Sequence, residues 1–229
     1  MALGNTQMIL AERKQLREGD VEISERAFNL VIGGMLMYGF GLNYLMVTLF
    51  GAQAARMVAG MNPIIFLIGY FALVMIGSAL IARPSPVMSF LGYNLIAVPI
   101  GIVLCTVLQG YYVETIRSAV LMTAIITLSF MIAATLFPGF FLKLGRVLLF
   151  SLLMLIVGGL VSLLLFRSSG MLYTWLGAGV FSLYIGYDWA RANTCARTVD
   201  NAIDLSASLY LDIINLFLRV LSIMGKRRD

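Results

Sequence analysis

Six stretches of this chain run for twenty or more residues without a charged side chain: 27–55, 57–82, 84–113, 118–142, 147–166 and 168–187. A helix that crosses a bilayer needs roughly 20 mostly apolar residues. Each interval is long enough, so six membrane-spanning helices are expected, at about 28–50, 63–82, 88–110, 116–136, 147–166 and 169–189. The runs are continuous rather than alternating, which favours helices over a barrel. With 61% hydrophobic and 12% charged residues, the chain is too apolar for an ordinary soluble domain.

A seventh segment, about 203–222, is apolar in pattern but contains Asp204, Asp212 and Arg219. Charged groups inside a bilayer face protein or water. The segment is therefore expected to be enclosed by the other six, giving an all-α membrane protein in which six helices surround a central C-terminal one. The divisions that follow are an N-terminal tail at 1–27, a seven-helix domain at 28–222 and a basic C-terminal tail at 223–229.

Nine of the 27 charged residues fall between Glu12 and Arg26. The segment is dense in both signs and has no apolar core or small-residue cleavage site, so it reads as a solvated tail and not a signal peptide. Lys and Arg in short loops set orientation. With the N-terminus in the cytosol, the inner side carries Arg13, Lys14, Arg17, Arg26, Arg83, Lys143, Arg146, Arg191 and Arg197, against Arg56, Arg117 and Arg167 outside. The tail Lys226-Arg227-Arg228 opposes this arrangement, because seven spans place it outside; a re-entrant last segment would return it. Pro99 lies inside the third span and is expected to kink it. No two glycines are four apart, so the GxxxG packing motif is absent.

Histidine is absent, which removes imidazole acid–base catalysis and imidazole metal sites. Cys105 in the third span and Cys195 in a loop are poor disulfide partners. No phosphate-binding or dinucleotide motif occurs. The net charge of +5 lies in loops and tails, so nucleic acid is not an expected partner. The chain reads as no enzyme.

Two acids remain. Asp188 closes the sixth span in FSLYIGYDWARA, and Asp212 sits mid-helix in LYLDIINLFL. A charged Asp at the centre of a spanning helix costs roughly 2.5–3.5 kcal/mol, which points to a functional role. The plainer reading is a carboxyl that pins helices together. Residue spacing places Asp212 about 13 Å into its helix and leaves contact with Asp188 open. If they meet, they cannot both ionise cheaply; they share a proton and form a pH-sensitive pair. Tyr187-Asp188 also matches the YD element of intramembrane aspartyl proteases, but Leu209-Tyr210-Leu211-Asp212 stands where that class has GxGD.

SASLYLDIINLFLRVL (206–221) resembles the last-helix signature of the Bax inhibitor-1 family, also called transmembrane Bax inhibitor motif proteins. FSLYIGYDWARA resembles that family's preceding helix, and LSFMIAATLFPGFFLKLGRVL its fourth helix and following loop. The resemblance implies seven helices around a central last one, and a pH-dependent calcium leak in a membrane, here a bacterial inner membrane. It assigns Asp188 and Asp212 to a di-aspartyl pH sensor and gate that calcium, as the permeant ion, contacts transiently; no cofactor is implied. Arg83, at the inner end of the second helix, matches an arginine that latches the closed state, although Ala82 and Pro84 replace a basic cluster found in some relatives; its plainer role is a topology anchor. The second span lacks the outer acidic residue that some relatives carry. The other activity implied is regulation without transport, through a membrane-bound protease or a stress or cell-death partner.

Overall fold

The structure, a computed structural model, describes residue 16 and residues 20–162 and 170–225, the side chain of Leu160 excepted. The expectations for most of the N-terminal tail, for Arg167 and for the basic tail Lys226–Arg228 fall outside the described residues. Every regular element among those described is a helix: α1 Glu25–Ala59, α2 Pro63–Ile81, α3 Pro86–Leu108, α4 Val113–Leu136, α5 Pro138–Lys143, α6 Gly145–Val161, α7 Met171–Ala192 and α8 Val199–Met224. Five of them, α1 to α4 and α8, are long and apolar enough to cross a membrane. The described part of α6 is shorter, and α7 carries Asp188 and Arg191 near its end.

Most boundaries follow local chemistry. The Ser24 hydroxyl caps α1 by accepting from the Ala27 amide at 3.2 Å, and the Asn62 side chain caps α2 by accepting from Ile64 at 2.9 Å, with Pro63 preset for the first turn. Helix α1 runs to Ala59, well past the expected end near Phe50. Residues 52–59, AQAARMVA, are mostly strong helix formers, so nothing stops the helix until Gly60. Helix α3 runs through Pro99 without interruption, the ring itself buried. The loop expected after α4 contains the short helix α5, which starts at Pro138.

The chain divides into two compact units, Met1–Gly110 with Thr194–Ser208, and Tyr111–Asn193 with Leu209–Asp229. In the first, α1 and α2 pack against α3. The α2–α3 contact is made by two single glycines: a methyl on Gly92 would lie 2.5 Å from the carbonyl oxygen of Gly77, and one on Gly77 would lie 2.7 Å from that of Gly92. Close packing by small residues is therefore present without the four-residue spacing. Gly77 is also the one buried residue of α2, so the rest of this apolar helix is left uncovered by the chain. The Tyr93 hydroxyl, on α3, donates to the Met35 carbonyl of α1 at 2.8 Å. The start of α8 is fixed in the same unit, where the Ser89 hydroxyl donates to Asp200 at 2.8 Å. The Ile23 amide donates to the Arg197 carbonyl at 2.8 Å, and Arg197 pairs with Glu25 at 3.0 Å.

In the second unit α4, α5 and α6 all pack on α7. Phe141 of α5 inserts among Ala134 of α4 and Ala190 of α7, and the Trp189 indole donates to the Thr135 hydroxyl at 2.9 Å.

Candidate functional site

Helix α8 carries Asp200, Asp204, Asp212 and Arg219 and is nevertheless well enclosed. From Asp200 to Leu221 none of its residues is exposed. Asp204 is 2% exposed and Asp212 8%, as expected for ionisable groups that lipid cannot solvate.

Asp188 and Asp212 come together. Both belong to the second unit, both are buried, and their side chains are hydrogen-bonding partners. Two carboxyls placed this way cannot both ionise cheaply. Asp212 Oδ2 is buried and meets no hydrogen-bond donor among the described residues. Tyr184, one turn before Asp188 on α7, lies within electrostatic reach of both carboxyls.

Asp188 has a second partner that sequence reasoning missed. Arg191, one turn along α7, places its Nη1 3.3 Å from Asp188 Oδ1. The guanidinium also lies 5.9 Å from the centroid of the Tyr187 ring. The i, i+3 spacing on a helix is the signal that could have revealed this pair; by loop position alone Arg191 reads only as an inner-side charge. Arg83, the expected latch, sits exposed in the turn after α2, in the first unit; its amide donates to the Leu80 carbonyl at 3.0 Å.

The segment that carries Asp188 is wedged by its neighbours. A methyl on Gly186 would collide with the Phe141 ring, and one on Gly145 would lie 3.0 Å from the Tyr187 ring. Residues 186–188 are therefore held from both sides by α5 and the start of α6.

Calcium takes six to eight oxygen ligands in a resident site. Among the described residues no group of three or more His, Cys, Asp or Glu is placed to hold a metal.

The long apolar helices and the shielded acids define an integral, multi-pass membrane protein with a buried carboxyl pair. The sequence profile described as "Inhibitor of apoptosis-promoting Bax1" matches residues 22–229, and the chain belongs to this Bax inhibitor-1 family. It is 27% identical over 217 residues to the inner membrane protein YbhL of Escherichia coli K12, covering 84% of this chain and 90% of that one. A protein of Helicobacter pylori strain 26695, described only as uncharacterized, is 35% identical over 86 residues. That match spans 36% of each chain, about a third of the H. pylori protein's length.

Proposed function

We propose that the protein is a pH-dependent cation leak, with calcium as the permeant ion and the Asp188–Asp212 pair as its gate. The observation that carries this is the buried contact between the two carboxyls, with an Asp212 oxygen left without a donor. Two carboxyls that share one proton titrate as a coupled pair, in two steps that belong to the pair and not to either residue. Around neutral pH the Asp188 carboxylate is held by arginine and by the shared proton, and the path is shut. Further protonation removes the charge that arginine holds, and the path opens. Arg191 is the arginine on the same helix; Arg83 is a latch on the family resemblance alone.

The same reading places seven spans in the membrane, with α8 enclosed by the rest, and its support is the absence of any exposed residue in α8 between Asp200 and Leu221. It places the N-terminus in the cytosol on the distribution of Lys and Arg, and the protein in a bacterial inner membrane, the location that its E. coli relative's name gives.

The deciding experiment is reconstitution into liposomes containing a calcium indicator, with external pH titrated. Calcium entry should rise on acidification, and Asp212→Asn should remove the pH response. Entry that ignores pH, or that is unaltered in Asp212→Asn, sinks the reading.

The second reading, a regulator that binds a membrane protease or a stress partner without transport, draws on the exposed acidic residues Asp20 and Glu22. They precede Ile23, which is tied to Arg197. It requires that Asp212→Asn leave the regulatory effect intact.

A further inference from the structure

Besides its acids, α8 carries one cation, Arg219. It lies seven residues beyond Asp212 on α8, two turns to within about 20°, so both side chains leave the same face about 10 Å apart along the axis. Both address α7: Asp212 meets Asp188, and Arg219 meets Tyr173.

The seat of Arg219 is built from three helices of the second unit. Its guanidinium carbon lies 4.5 Å from the centroid of the Tyr173 ring, and its Nη2 donates to the Tyr173 hydroxyl at 3.2 Å. That hydroxyl in turn donates to the Leu155 carbonyl of α6 at 2.7 Å. Its single proton is committed there, and a lone pair is what faces the guanidinium. Glycines supply the room. A methyl on Gly177 would lie 2.8 Å from Arg219 Nε, and one on Gly159 would lie 2.7 Å from the Tyr173 hydroxyl oxygen. Among the described residues no carboxylate is within ion-pair distance of Arg219. The seat therefore holds a positive charge in place, with no carboxylate among the described residues to neutralise it.

We propose that Arg219 is the residue that limits divalent-cation flow past Asp212. The proposal rests on the conduction reading above. A guanidinium stacked on Tyr173 is not free to swing down and pair with Asp212, so its field acts on whatever cation the carboxyl attracts. The repulsion is proportional to the ion's charge. Its effect on a divalent ion is therefore the square of its effect on a monovalent one.

The test uses the full chain in liposomes at a fixed pH and a clamped potential, with Ca²⁺ and K⁺ entry measured separately. Arg219→Gln should raise Ca²⁺ entry about tenfold and K⁺ entry about threefold. Arg219→Lys, which keeps the charge, should retain the wild-type ratio of the two ions. Arg219→Met provides a second neutral side chain, compatible with lipid, should the glutamine variant not fold. An equal factor for both ions, or none for either, overturns the proposal. A wild type that conducts, loses its pH response in Asp212→Asn and is indifferent to Arg219→Gln overturns this proposal alone. A wild type that passes neither ion overturns the conduction reading with it.

Discussion

Asp188 and Arg191 stand one turn apart on α7 and form an ion pair at 3.3 Å, while the same Asp188 is hydrogen-bonded to Asp212 of α8. The carboxyl thus has one partner fixed by its own helix and one by tertiary packing. The first ties its charge to a cation three residues away. The second exists only while α7 and the later part of α8 remain packed together.

Replacing Arg191 with Gln should destabilise the protein by about 1–3 kcal/mol. Removing one member of a fully buried ion pair costs about 3–5 kcal/mol, and the Arg191 side chain is 19% exposed, so water recovers part of that. Thermal unfolding in detergent measures it. Arg191→Lys should recover only part of the loss, since an ammonium does not stack on Tyr187 as a guanidinium does.

Gly186→Ala should cost about 1–3 kcal/mol through overpacking against Phe141. The neighbour is a side chain, so the clash is relievable: Phe141→Leu in the Gly186→Ala background should cost less than Phe141→Leu alone. A double-mutant cycle on unfolding midpoints reads the coupling, and additive costs would refute the contact.

Gly77→Ala and Gly92→Ala should both separate α2 from α3, because each new methyl meets a backbone carbonyl that has no rotamer to adopt. Gly69, also on α2, has open space around it. Gly69→Ala should be neutral or stabilise by up to about 1 kcal/mol, as expected for glycine replacement in a helix. Equal destabilisation at all three positions would show that helix propensity, not the crossing, governs them.

Ser89→Ala should cost about 1.5–3 kcal/mol, since it removes a hydrogen bond to a charged, buried group. The loss should be visible as faster amide exchange at the start of α8, where Asp200 sits. Ser89→Thr should be milder if the added methyl fits.

The helices were legible in the sequence because a membrane span is a local property. Charge-free intervals and prolines mark α2 and α3 to within a few residues, and α1 overran its expected end because residues 52–59 favour helix and no breaker intervenes. The acids of α8 were legible as shielded groups for the same reason. Their meeting was not. Thirteen residues separate Val199 from Asp212, and four separate Asp188 from the end of α7. Counting residues from helix ends therefore places the two acids at different depths, and only the packed helices show them in contact.

By itself, the sequence determined the membrane class, the approximate spans, the family resemblance and the two aspartates worth asking about. These depend on which residues follow one another along the chain. Tertiary structure decided which groups face each other: Asp188 with Asp212, Phe141 against Gly186, Arg219 over Tyr173. Such contacts depend on the rotation and depth of one helix against another, and side chains on two helices set both together, so neither can be read from either stretch alone.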